Sequence, residues 1–269
     1  MANSAYASGF NTDALFVAAK AATVFAAHEQ SLFLGGGMVP VVNAPNGLLQ
    51  VPELAAVTAT TLTSEAAPGV DLDALLPADT KNSIQCDIYA ARSVLRDLGA
   101  IDPAEIGRVL GNAVSKAFDT AVITAMDGLT SSTSDADPMT VDALFDAAAQ
   151  IRGNGETGAL MGIVSAAEAA NLMKDIGSTA YAGGDFQSEA MRNGFLGTVA
   201  GIRMFQSSYI SGTNKGFVFA GDAMRIAMQK NVDIETARRP EAVGQDIVAS
   251  LHAGVGVIDA GRGVKLINV

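Results

Sequence analysis

Tryptophan is absent from this chain, cysteine occurs once, histidine occurs twice, and only 17% of the 269 residues are charged. The one cysteine, Cys86, cannot close an internal disulfide, which fits a reducing compartment and a buried structural thiol. His28 and His252 lie at opposite ends of the sequence with no local carboxylate or cysteine cluster, so they read as packing or surface residues rather than metal ligands. No run reaches about 18 apolar residues, so no membrane-spanning helix is expected. No basic residue precedes Lys20. The n-region of a signal peptide is therefore missing, and the chain reads as cytosolic where it is made. Walker A, C-x-x-C, H-E-x-x-H and G-x-S-x-G sequences are also missing. No catalytic residue, cofactor or metal is expected.

Positive charge is scarce as well. Seventeen Lys and Arg stand against 28 Asp and Glu, for a formal net charge of -11. That argues against non-specific nucleic-acid binding, which needs cations to displace counterions. A wall that merely encloses DNA needs no attraction for it. Hydrophobic residues make up 49% of the chain. A large contact area between subunits is one physical reason to keep charge this low.

The clearest element present is a long helix over 102–128. Asp102 is a good N-cap, Pro103 takes the first helical position and Glu105 completes a capping box. The apolar stripe runs Ile106, Val109/Leu110, Ala113/Val114, Ala117/Phe118, Ala121/Val122 and Ala125/Met126, and Gly128 ends it. About 25 residues at 1.5 Å each predict a rod of roughly 38 Å. The C-terminal end alternates instead: Ile247, Ala249, Leu251, Val255 and Val257, then Val264 and Leu266 beyond the turn 259–263. That is the period of half-buried strands, expected to join one sheet beneath the helix.

Between these landmarks, Leu15, Phe16, Ala19, Ala22, Phe25 and Ala26 fall at helical spacing, and Gly35-Gly36-Gly37 breaks the pattern. Residues 38–80 hold strand-like runs at 38–42 and 48–52, a turn at Pro45-Asn46-Gly47, and no helix. So long a stretch without anchors suits a two-stranded ribbon that projects onto a neighbour. Ser83 to Tyr89 alternates Ile84, Cys86 and Ile88 as a strand, and 90–98 reads as a short helix with Val94, Leu95 and Leu98 inward. After a polar linker at 130–137 the pattern becomes α/β. It gives a helix from Val141 capped by Thr140, a strand at 159–164, a helix opened by the box Ser165-Ala166-Ala167-Glu168, and strands at 197–206 and 216–220.

Two clusters leave alternatives open. Gly153-Asn154-Gly155-Glu156-Thr157-Gly158 matches G-x-G-x-x-G in letters but follows a helix and precedes a strand, the reverse of the dinucleotide motif. It reads as a connecting loop, with a nucleotide site as the lesser alternative. Arg238-Arg239-Pro240 is either a solvated turn with an intrachain salt bridge or an intersubunit ion pair with an acidic loop. Arg92, Arg96 and Arg108 raise the same question.

The order of segments resembles the major capsid protein of tailed phages, with the HK97-like α+β fold. The segments that carry the likeness are Thr61-Leu62-Thr63-Ser64-Glu65-Ala66-Ala67, residues 83–97, the helix with Phe118-Asp119-Thr120-Ala121-Val122, residues 194–204 and the terminal strands. The resemblance covers nearly the whole chain. It implies an N-terminal arm (1–37), an extended loop (38–80), a P domain (81–138 and 231–269, with a spine helix over 103–127) and an A domain (139–230). It implies a subunit that forms hexamers and pentamers in an icosahedral head around double-stranded DNA, with portal, scaffolding and decoration proteins as partners. Glu65, Lys81, Arg92, Arg96, Arg238 and Arg239 are then the candidates for intersubunit contact. Some members cross-link a Lys to an Asn. Lys81 is the only lysine near the extended loop and sits at its base, so that chemistry is not carried over. The alternatives are an encapsulin-type shell of the same fold and, from a different class, a cytosolic α/β enzyme with its site at 153–158.

Overall fold

The computed structural model describes residues 19–27, 31–34, 37–54, 79–96, 103–131, 138–176, 195–210 and 212–267. Residues 19–27 are helical (α1). The long helix (α2) spans Pro103–Ala125 and closes in a 3-10 turn, Met126–Gly128. At 1.5 Å per residue its regular part is about 35 Å long.

The side chains of α2 sort into two buried rows. Ile106, Leu110, Val114, Phe118, Val122 and Met126 are buried at every fourth position and share a core with strands of the sheet beneath. Gly107, Gly111, Ser115 and Asp119 form the adjoining buried row. This second row corrects the expected stripe: Val109, Ala113 and Ala117 face solvent. The buried arc extends to the other side of the Ile106–Met126 row because the 19–34 segment packs there. A Cβ at Gly107 would lie 2.5 Å from the Ala19 carbonyl oxygen, and one at Gly111 2.5 Å from that of Thr23, so only glycine permits the approach. On α1 itself Ala19, Thr23, Ala26 and Ala27 turn inward, whereas Phe25, expected inward, is 66% exposed.

The sheet under α2 has four strands in the order β1 (Val41–Asn43), β10 (Met224–Arg239), β11 (Gly244–Val257) and β4 (Asp87–Arg96). β10 and β11 form one long antiparallel hairpin, and Ile226, Ile234, Ile247, Ala249, Leu251 and Ala253 turn toward the helix. β4 corrects the short helix expected at 90–98. It pairs with β11 residue for residue, from Asp87↔Ala253 to Arg96↔Gly244. Alanine and arginine tolerate either state, and the ladder offered by β11 decides it. Tyr89, Ala91 and Leu95 pack on the core, while Ile88 and Val94 lie exposed on the far face. Tyr89 also meets Phe118 edge-on, ring centroids 5.6 Å apart.

The strand expected over 83–89 divides at Cys86. Upstream, β3 (Asp79–Gln85) pairs only with β2 (Leu48–Leu54) in a two-stranded ribbon; downstream, β4 joins β11. The ribbon is narrower than the 38–80 segment. Met38, Val39 and Ala44 are buried in the subunit's own core, β1 runs parallel to β10, and the chain turns outward only at Pro45-Asn46-Gly47. Residues 55–78 lie outside the described residues.

A second sheet has six strands in the order β5 (Thr130–Ser131), β12 (Gly263–Ile267), β9 (Asn214–Ala220), β6 (Leu160–Ser165), β8 (Ile202–Ser207) and β7 (Phe195–Val199). Two expectations change here. The strand foreseen at 197–206 is a hairpin, β7–β8, turned at Ala200-Gly201, both with positive φ. The last strand, β12, leaves the sheet under α2 and pairs with β9. Helices α3 (Val141–Gly153) and α4 (Ala166–Ile176) share a core with one face of this sheet. Thr140 caps α3 as foreseen, its hydroxyl accepting from the Ala143 N–H at 3.3 Å. Ser165 caps α4 by accepting from the Glu168 N–H at 3.3 Å.

Candidate functional site: the hairpin tip and the N-terminal clamp

Four of the six residues singled out in the sequence converge at one end of the four-stranded sheet. Arg96 on β4 and Arg239 on β10 both stand opposite Gly244 of β11, and Arg238 stands opposite Gln245. Arg92 lies four pairs further along β4 from Arg96, opposite Val248. Directly opposed residues in an antiparallel ladder share a face. Arg96, Gly244 and Arg239 therefore form one row, and Val94, Asp246 and Ala237 the next row on that face. Arg92 donates through Nη2 to Asp246 Oδ2, and Arg239 Nη1 stands 3.9 Å from the same oxygen. Within the subunit, Arg92 and Arg239 thus share Asp246 as a counter-ion. Asp246 Oδ1 is buried without a hydrogen-bond partner. The exposed rim of the tip carries Glu241, within 3.9 Å of Arg239. Lys81 is apart from this cluster, exposed on the ribbon opposite Pro52, and Glu65 lies outside the described residues.

A second constellation was not anticipated. Asp119, on the row that begins Gly107 and Gly111, is 1% exposed. Its carboxylate accepts from Ser31 Oγ at 2.5 Å and from the Leu32 N–H at 3.1 Å. Ser31 Oγ in turn accepts from the Phe33 and Leu34 N–H groups. One carboxylate thus fixes a turn that seats Phe33 fully inside the core. Burial raises the Asp119 pKa from 3.8 to about 6, more than the two hydrogen bonds lower it. The same N-terminal segment is held at its other end by Lys20, 2.7 Å from Asp233 on β10. The hydrogen bond from Lys20 holds the Asp233 carboxyl down at about 2. The sequence did carry a signal for Asp119: Gly107, Gly111, Ser115 and Asp119 repeat at four-residue spacing beside the apolar row.

The glycine loop at 153–158 connects α3 to β6, in the order the sequence predicted. It is tied to the turn before β12: Asn154 Nδ2 donates to the Gly261 carbonyl at 2.7 Å, and Arg262 lies 3.3 Å from Glu156 and 3.0 Å from Asp259. Its polar groups are engaged in bracing that turn. Among the described residues, no three His, Cys, Asp or Glu side chains gather as metal ligands. Cys86 is half-buried, and desolvation raises its thiol pKa, the opposite of what an activated nucleophile needs.

Solved structures define the fold. The fold matches a capsid structure of the cyanophage P-SCSP1u at TM-score 0.67 and 18% identity, over 86% of each chain. It matches Mycobacterium phage Che8 at 0.65 and 19% identity, over 82% of this chain and 84% of that one. It matches a virus-like particle from Pyrococcus furiosus at 0.65 and 14% identity, over 93% of this chain and 98% of that one. At these identities the likeness establishes the fold, which is HK97-like. No curated protein matches the sequence. The family is fixed separately: residues 92–266 match the phage capsid protein family, and this chain belongs to it. It is a structural protein of the phage head, a major capsid protein.

Proposed function

We propose that the chain is the repeating subunit of an icosahedral tailed-phage head, built as hexamers and pentamers around double-stranded DNA and assembled in the host cytoplasm. The observation that carries this reading is the β2–β3 ribbon. Its two strands pair as a sheet only with each other among the described residues; Ile84 and the bond from Asn82 to the Ile258 carbonyl root its base on its own subunit, and Leu48 is left exposed. A lone two-stranded ribbon is marginal in water, so it needs a surface supplied by another copy. On this reading 1–37 is the N-terminal arm, 81–138 with 231–269 the P domain and 139–230 the A domain. The extended loop is 38–80, and its projecting part starts after the turn at 45–47. Lys81, Glu65 and the arginines at 92, 96, 238 and 239 serve contacts between copies. Portal, scaffolding and decoration proteins complete the head. The acidic composition suits a wall that contains DNA without gripping it. The subunit does no chemistry.

Electron microscopy of the purified protein, with and without co-expressed neighbouring genes, tests this. Closed shells, sheets or tubes of capsomers support it. Uniform small particles under every condition would refute it. Shells packed with protein rather than DNA would move the reading to an encapsulin-type compartment. Limited proteolysis gives a second measure: cleavage in the projecting ribbon should be fast before assembly and suppressed after it.

A further inference from the structure

The two outer edges of the four-stranded sheet differ in kind. Beyond Met228 the outer side of β10 has no strand partner among the described residues. That edge is blunted: register shifts interrupt it on both sides of Lys230, and Lys230, Asp233 and Glu235 cover it with ion pairs. Lys20 of α1 reaches Asp233 across it. Bulges and charges are the usual means of refusing a foreign strand. β4, the opposite edge, pairs with β11 over ten residues without a register shift and contains no glycine or proline. Arg92, its one central charge, is drawn back over the sheet by Asp246. The outer side of β4 has no strand partner among the described residues, and its far face shows Ile88, 67% exposed, and Val94, 40% exposed. Such an edge is a template for another strand. A second feature lies on the same side. α2 packs over β11 and β4, and α1 lies on the β10 side of it, where Gly107 and Gly111 admit its backbone and Lys20 reaches β10. The opposite flank of α2 therefore overhangs the β4 edge. It carries Val109, Ala113 and Ala117, the apolar residues expected in the core and found facing solvent. The strand is also self-complementary in one register. A two-fold axis normal to the sheet keeps each side chain on its own face, so residues of like face must oppose. Antiparallel pairing centred on Ala91 sets Ile88 opposite Val94 of the mate, twice, and Ala90 opposite Arg92. Pairing centred on Arg92 would set that charge against itself. With α2 seated between β11 and β4, and strands about 4.8 Å apart, the two α2 helices come to lie about 10 Å apart, an ordinary distance for packed helices.

Building on the shell reading above, we propose that two copies of this chain join edge to edge through β4, antiparallel, in the register centred on Ala91. The two four-stranded sheets become one continuous sheet. Above it the two α2 helices face each other through Val109, Ala113 and Ala117.

The test uses the full-length protein. Ile88→Asp and Val94→Lys each set a charge against an apolar mate, and the double variant pairs the two charges across the axis. Within one chain the two positions lie about 20 Å apart along the strand, so rescue passes only between copies. Both side chains are exposed, and the unassembled variants should keep the wild-type urea midpoint. The critical concentration for assembly should rise at least about tenfold in each single variant, because every contact holds the disturbed pair twice, and return to within about threefold of wild type in the double variant. Ala91→Cys, made in a Cys86→Ala background and oxidised with copper phenanthroline, should give a covalent dimer in assembled protein and none in dilute monomer, since Ala91 opposes its own copy. Single variants that assemble at the wild-type concentration would overturn the contact. A double variant as impaired as the singles would do so too, as would assembled protein without the covalent dimer. Normal shells that have lost an associated protein would also overturn it, by showing that a different partner covers β4. A wild-type chain that stays monomeric would overturn the shell reading as well, an outcome distinct from normal shells that ignore the variants.

Discussion

Replacing Asp119 by asparagine should flatten one stretch of the pH–stability profile. Unfolded, this carboxyl titrates at 3.8; folded, at about 6, because it is buried between α2 and the 31–34 turn. Below about pH 3.8 it is protonated in both states, and its favourable contribution is fully present. As pH rises through the window from 3.8 to 6, the unfolded chain gives up the proton first. The folded chain then binds the extra proton, so stability falls as pH increases. A gap of about 2 units at 1.36 kcal/mol each amounts to a loss of about 3 kcal/mol across that window. The direction is opposite to ordinary acid denaturation. Asparagine keeps one acceptor, for either the Leu32 N–H or Ser31 Oγ, so the turn loses one of two bonds at every pH while the titration disappears. The assay is urea unfolding of the unassembled protein at pH 4 to 7, followed by far-ultraviolet circular dichroism, since the chain has no tryptophan. The quantity of interest is the wild-type stability minus that of Asp119→Asn. It should decline between pH 4 and 6 and level off above. A difference that is constant over this range, or that grows with pH, would refute the burial argument.

Asp233 should act in another window: its pKa of about 2 means its stabilising contribution, present above pH 3.8, is lost as pH falls toward 2. Lys20→Ala should shrink that low-pH loss, read from acid unfolding curves of the two proteins. Gly111→Val should cost about 1–3 kcal/mol or more, because its side chain meets the Thr23 carbonyl. Proteolysis should then release the 19–27 helix before the rest of the chain. Phe118→Ala should lower stability by about 3–5 kcal/mol in urea titrations, since the ring is fully buried against Tyr89.

The sequence was most legible where one element carries its own rule. α2, α3 and α4 announce themselves by caps and four-residue spacing, and the β11 alternation reads directly as strand. The errors lie where the answer depends on a partner distant in sequence. Residues 90–96 have no strong preference of their own, and only the β11 ladder makes them a strand. The side of α2 that extends the buried arc is chosen by residues 19–34, so Val109 was misassigned to the core. β12 alternates as expected, but alternation does not say which sheet a strand joins. The arginines at the tip were visible as a cluster, whereas their counter-ion Asp246 was not, because the ladder register alone brings Asp246 beside Arg92.

β9 has a further consequence. Its residues alternate between two interiors: Phe217 and Phe219 enter the core beneath α2, whereas Val218 and Ala220 enter the core beneath α3 and α4. The six-stranded sheet is therefore a party wall rather than the floor of one room. The chain also crosses between the two sheets through β9 into β10 and again from β11 into β12. A push delivered at the hairpin tip runs down β10 and β11 and arrives in that wall through covalent bonds. The two halves of the subunit share that wall and those crossings, so a load on one is passed to the other. For a subunit stressed from all sides, that turns two small cores into a single spring.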